Sequence, residues 1–189
     1  MPKLVVADGH LGIWSAMGEM FPEVEQQRCW NHTIVNVRDR VPKKQQAKAR
    51  ALLGAMPYAE TRQEAEEQRD SFIERFGNAY PDAAKILRAD WERMVPFDGF
   101  PNAHWKHLRT TNIVESPFAA VRRRTTAAKR FKKVANATAL IWRVLLGAER
   151  SFCRLDHPQL LAEVAEGAKY QNGIQVVEKV NNSDQEAAA

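Results

Sequence analysis

Residues 4–7, Leu-Val-Val-Ala, make a short apolar run with β-branched side chains that stops at Asp8-Gly9. A run of this kind closed by a turn pair predicts a buried strand. Ile13, Met17 and Met20 then recur at helical spacing, so a short helix is expected over 12–21. Residues 24–29 predict a second strand. Pro42 interrupts the chain, and a helical stretch follows over 44–53. Thr61 and Glu64 have the spacing of a capping box that opens a long polar helix over 61–76, with Gly77 as its stop. Residues 79–94 are expected to be helical, broken near Pro81 and stopped by Pro96; 97–103 reads as a loop. The strongest helical pattern covers 135–152, where Leu140, Ile141, Val144, Leu145, Ala148 and Phe152 form one apolar face. From Tyr170 to the end the chain is polar, with an Asn-Asn pair and an alanine run. That segment is expected to be largely disordered, with weak strand character over 174–180. No internal repeat is visible.

The pattern predicts a predominantly helical α/β chain short of strands. The first strand reads as one buried on both faces, as in a mainly parallel sheet. Such sheets usually have about five or six strands, and two good candidates and a doubtful one are present. The economical expectation is that the chain is the C-terminal part of a larger α/β domain. The alternative is a helical domain with a small sheet.

Composition narrows the class without naming a function. The chain has 189 residues, 44% hydrophobic and 27% charged, as in ordinary globular proteins. No apolar run approaches a membrane span of about 20 residues. Two distant cysteines, Cys29 and Cys153, exclude a disulfide scaffold and suit a reducing cytoplasm. Charge changes the picture more. The net charge is +5, yet residues 104–134 alone hold nine Lys and Arg against one acid, Glu115. The remainder of the chain has more acids than cations. Concentrated positive charge suits a polyanion partner; a solvated basic helix face is the bland reading.

A few residues could carry chemistry. Asp8 falls at the carboxyl end of the first strand, where a carboxylate can bind a metal or act as acid or base. Asp before Gly is also a common turn former. Cys29-Trp30-Asn31-His32 holds the residue types of half a zinc site, but the chain lacks a matching second half. A buried Cys hydrogen-bonded to His is the other reading. Glu115 lies near a helix start, either through Asn112 as the cap or with the helix opening at Ser116-Pro117. Trp91 reads as a core residue or as a stacking platform for an unpaired base.

Taken in order, several strings resemble the Mutator-type transposases of bacterial insertion sequences. They are Val5-Val6-Ala7-Asp8-Gly9-His10, Phe21-Pro22, Gln27-Arg28-Cys29-Trp30-Asn31-His32 and Val41-Pro42-Lys43. Trp91, Leu108-Arg109-Thr110-Thr111-Asn112-Ile113-Val114-Glu115 and Arg122-Arg123-Arg124-Thr125 follow. The resemblance runs over about 4–146. It implies a truncated RNase H-like domain with a helical insertion. Residues 1–41 would be part of the core, 42–103 the insertion, 104–153 the return to the core, and 154–189 a C-terminal helix and tail. It further implies three metal-binding acids and a two-Mg²⁺ site for cutting and joining DNA. Asp8 matches the second acid and Glu115 the third; the first would lie upstream, so the chain alone is expected to be inactive. Arg109, Arg122, Arg123, Arg124, Lys129, Arg130, Lys132, Lys133 and Trp91 would contact DNA. Cys29 and His32 match a signature expected to be structural. The complete protein is expected to act on transposon ends and target DNA as a homo-oligomer, without a membrane.

Overall fold

Parallel strands cannot be joined by a tight turn, and the first two elements show how this chain meets that demand. In the computed structural model, which describes residues 1–177, β1 (Leu4–Ala7) leads through helix α1 (Leu11–Met20) to β2 (Glu25–Arg28). The strands pair parallel, Leu4 opposite Glu25 and Ala7 opposite Arg28. The Cys29 N–H donates to the Ala7 carbonyl at 2.8 Å and extends the ladder by one step. Burial on both faces of β1 is not realised among the described residues. Ala7 is buried, while Leu4, Val5 and Val6 are half-buried.

Most of the core lies beyond the sheet. Helices α2 (Trp30–Arg38), α3 (Lys43–Ala55), α4 (Arg62–Phe76) and α5 (Pro81–Asp90) pack around Trp30, Leu53, Met56, Phe72, Leu87, Trp91 and Met94. Trp30 meets Trp91 edge to face with ring centroids 6.0 Å apart, a favoured aromatic geometry. Thr61 caps α4 as expected, its side chain accepting from the Glu64 N–H at 3.1 Å. Glu64 returns to the N–H of Glu60, one residue before the cap. Gly77 follows α4 in right-handed conformation, not the left-handed one that a helix-ending glycine commonly takes. Pro81 occupies the first position of α5, where its missing N–H costs no helical bond. The expected loop over 97–103 is a pair of short 3₁₀ turns.

Gln27 joins this helical body to the sheet. It is fully buried, and its amide nitrogen donates to the carbonyls of Met94 at 2.8 Å and Arg28 at 2.9 Å. Its amide oxygen accepts the Phe97 N–H at 3.0 Å. Nothing in the apolar pattern of β2 marks this residue as a core position.

After the short helix α6 (Trp105–Leu108), helices α7 (Asn112–Ala128) and α8 (Val134–Glu149) pack against each other as a hairpin. No residue of α8 is buried, and Trp142 is 64% exposed. The apolar face expected there is half-covered, with α7 as its main neighbour.

Helix α9 (Leu160–Glu166) precedes strands β3 (Tyr170–Gln171) and β4 (Ile174–Gln175), which pair antiparallel. This corrects the expectation of disorder from Tyr170 on. Asn172 and Gly173 both have positive φ, 49° and 75°, as a two-residue hairpin turn requires. The turn is docked: Gly173 donates to the Asp98 carbonyl at 2.9 Å and accepts from the Asn102 N–H at 3.1 Å. Asn172 Oδ1 accepts the N–H of Arg62 at 2.9 Å, at the first residue of α4. Residues 178–189, including the end of the expected strand over 174–180, lie outside the described residues.

Candidate active site

Two segments distant in sequence meet at the carboxyl end of the parallel strands. Cys29-Trp30-Asn31-His32 follows β2 directly, and each member touches the segment 109–115. Cys29 Sγ accepts the Thr111 N–H at 3.3 Å, with Thr111 Oγ1 at 3.2 Å. The Trp30 N–H donates to the Arg109 carbonyl at 3.0 Å. Asn31 Nδ2 donates to Asn112 Oδ1 at 3.0 Å. His32 Nδ1 stands 3.7 Å from Glu115 Oε1. Thr111 Oγ1 also donates to Glu115 Oε1.

This lacing sets where α7 begins. Neither expected start is correct: the helix opens at Asn112, with Thr111 as cap and Pro117 inside the helix. Thr111 makes no side-chain cap bond of its own because its hydroxyl is engaged with Cys29 and Glu115. Glu115 therefore lies in the first helical turn, where the helix dipole favours a carboxylate.

Asp8 is exposed just past β1, and its Oδ1 accepts the His10 N–H at 3.0 Å. This is the turn-forming role the Asp-Gly pair suggested. Gly9 follows with φ 99°, and a Cβ there would stand 2.7 Å from the Arg28 guanidinium. Only glycine fits both the conformation and the approach. Arg28 in turn pairs with Asp90.

The electrostatics of the site centre on His32. Its hydrogen bond to Cys29 raises the imidazole above its ordinary value against the opposing effect of burial, helped by the charges of Cys29, Glu115 and Asp8. Burial would push the Cys29 thiol up, yet the hydrogen bonds from Thr111 and His32 together bring it below its usual value. Asp8 and Glu115 thus act on one imidazole from two elements. Each carboxylate is held through one oxygen, and its second oxygen has no partner among the described residues.

The remaining candidates divide. Arg122, Arg123, Arg124, Lys129, Arg130, Lys132 and Lys133 are exposed along α7 and the turn after it, and none is in an ion pair with a described residue. Arg109 is half-buried, its guanidinium over the rings of Tyr58, Phe97 and Trp105 at 4.8, 5.2 and 5.3 Å. Burial pushes that guanidinium below its ordinary value. Trp91 is 2% exposed, with Trp30 at its edge and the Arg69 guanidinium 4.6 Å over its ring. It is a core residue, and no free face is left for a base. Among the described residues, no group of three or more His, Cys, Asp and Glu is arranged to hold a metal ion. No helix among them is long and apolar enough to cross a membrane.

The comparisons with known proteins agree with the strings that meet here. The family described as "Transposase, Mutator family" matches residues 2–154. The transposase for insertion sequence element IST2 of Acidithiobacillus ferrooxidans is 38% identical over 173 residues, covering 92% of this chain and 58% of that protein. The transposase for IS6120 of Mycolicibacterium smegmatis is 36% identical over 172 residues, 91% of this chain and 53% of that protein. The chain thus spans about half the length of these curated relatives. The chain belongs to the Mutator family of transposases.

Proposed function

We propose that this chain carries part of an RNase H-like catalytic domain that cuts and joins DNA phosphodiesters, with Asp8 and Glu115 as two of its three metal-binding acids. The observation that supports this best is the lacing of 29–32 onto 109–115. It brings Glu115 from a distant helix to an imidazole that also feels the charge of Asp8. The donor chemistry fits a hard divalent cation, since two carboxylates each leave one oxygen free, and Mg²⁺ prefers carboxylate oxygens and waters. Bound there, Mg²⁺ would supply activation of a water or 3′-hydroxyl and charge neutralisation at the phosphate. The residues of this chain hold each of the two carboxylates through one oxygen.

DNA is the proposed partner. The exposed cations of α7 and its following turn would lie along the phosphate backbone, which positions DNA without reading its sequence. Arg109 and Trp91 are left out of that surface: one is stacked among three rings and the other is buried. The complete protein is proposed to work in the cytoplasm as a homo-oligomer on transposon ends and target DNA. With two acids assigned, the chain by itself is proposed to cut nothing.

A chimera tests this reading. The chain is joined to the preceding part of the IST2-element transposase and supplied with Mg²⁺ and duplex DNA carrying that element's ends. Cleavage by the chimera but not by the chain alone, lost on Asp8→Asn or Glu115→Gln, is the expected result. Cleavage that survives both substitutions would refute the assignment.

A further inference from the structure

We propose that Thr111 and Cys29 are positioning residues for Glu115, an inference that rests on Glu115 being a metal-binding acid. Glu115 is 43% exposed, and a glutamate on a helix surface ordinarily samples several rotamers. Here Thr111 Oγ1 reaches its Oε1 from the residue that caps the helix.

A hydroxyl has one hydrogen, and two acceptors stand before it, Glu115 Oε1 and Cys29 Sγ. The carboxylate is the stronger acceptor and takes it. Oγ1 remains 3.2 Å from Cys29 Sγ, within hydrogen-bonding reach of the sulfur. The Thr111 N–H donates to the same sulfur at 3.3 Å, so the threonine is fixed from backbone and side chain by one atom. Cys29 is itself fixed: it is fully buried, and its N–H is bonded to Ala7, the last residue of β1. An unbroken chain of contacts therefore runs from β1, the strand that leads into Asp8, through Cys29 and Thr111, to Glu115. The relay leaves Glu115 Oε2 without a partner among the described residues, which directs one carboxylate oxygen outward. A buried cysteine serves here as an anchor for an acid on another element. A purely structural reading of the Cys-x-x-His string does not predict such a role.

The test uses the whole chain, isotopically labelled, with two readouts. The three-bond couplings of Glu115 report its χ1 rotamer, and Mn²⁺ titration by calorimetry reports metal affinity. The couplings should show a single rotamer in the wild type and in Thr111→Ser, which keeps the hydroxyl. They should be averaged in Thr111→Val and in Cys29→Ala. Mn²⁺ affinity should fall about tenfold or more in those two variants and be retained in Thr111→Ser. Amide shifts in α4 and α5 should stay in place, which separates loss of aim from loss of fold. If Thr111→Val does not fold, Cys29→Ala compared with Cys29→Ser makes the same comparison. Unchanged Glu115 couplings and Mn²⁺ affinity in Thr111→Val would overturn the relay. Mn²⁺ affinity unaffected by Glu115→Gln would instead remove the metal-binding role of Glu115, while the rotamer readout still decides whether Thr111 holds it.

Discussion

Gln27 is a polar residue in a fully buried place, and its value lies in what it satisfies. Replacement by Leu would leave the Phe97 N–H and the Met94 carbonyl buried without partners. Leaving two such groups unpaired costs about 2–6 kcal/mol in total. Urea unfolding of Gln27→Leu should show a loss of that size, and a change near zero would contradict the bonding described. Asp98 behaves in the opposite sense. Burial raises its carboxyl, with the charges of Glu66 and Glu92 adding to the effect and Arg62 opposing it. A raised acid binds its proton more tightly in the folded state. Its favourable contribution is therefore present below the unfolded value and is lost as pH rises through the folded one. Asp98→Asn should be more stable than wild type at neutral pH, with the advantage closing toward about pH 4. Equal differences at both pH values would contradict this. Asp8 could be singled out from the sequence by its strand-end position, and Glu115 as the one acid in the basic segment 104–134. Gln27 and Thr111 could not, because their roles depend on partners more than 60 residues away.

At the scale of elements, local chemistry was legible wherever it decided the outcome. The capping Thr61, Pro81 and the β-branched run before Asp8 each produced the expected boundary within a few residues, whereas the helix expected to run to Met94 ends at Asp90 and Pro96 opens a 3₁₀ turn. The start of α7 was not legible. Ser116-Pro117 is a good local signal for a helix start, but tertiary hydrogen bonds to Cys29 and Asn31 draw the start back to Asn112. The C-terminal hairpin has a local turn signal, the Asn172-Gly173 pair, but the polarity around it outweighs that signal. Its docking gives a direct prediction. A Cβ on Gly173 would lie 2.4 Å from the Asn102 Cβ, in a backbone conformation that side chains rarely adopt. Gly173→Ala should destabilise the docked hairpin by about 1–3 kcal/mol. Hydrogen exchange at the Asn102 and Gly173 amides should accelerate while α3 and α5 stay protected. Unchanged exchange at those two amides would count against the docking.

The whole molecule combines a βαβ corner with Asp8 just past its first strand, a helical body holding most of the core, and a basic helical hairpin that begins at Asn112 and carries Glu115 in its first turn. The predominance of helix was legible in the sequence. The small extent of the sheet fits the shortage of strand patterns, and the exposed cations were visible as a charge cluster. If that cluster meets DNA, the logarithm of affinity should fall linearly with the logarithm of salt concentration. The slope should be about −0.9 for each phosphate neutralised. Arg122→Ala, Arg123→Ala and Arg124→Ala combined should flatten the slope and weaken binding to all duplex sequences alike. Binding insensitive to salt would mark these cations as a solvated face.

The central claim is that Asp8 and Glu115, 107 positions apart, serve one cation. Mn²⁺ titrated into the isotopically labelled chain tests it most directly, because the paramagnetic ion broadens only nearby resonances. Signals of Asp8, Gly9 and His10 should broaden together with those of Thr111 and Glu115 at the same low Mn²⁺ concentration. Asp8→Asn or Glu115→Gln should abolish the broadening at both places. Broadening confined to one of the two segments, or undiminished by either substitution, would contradict it.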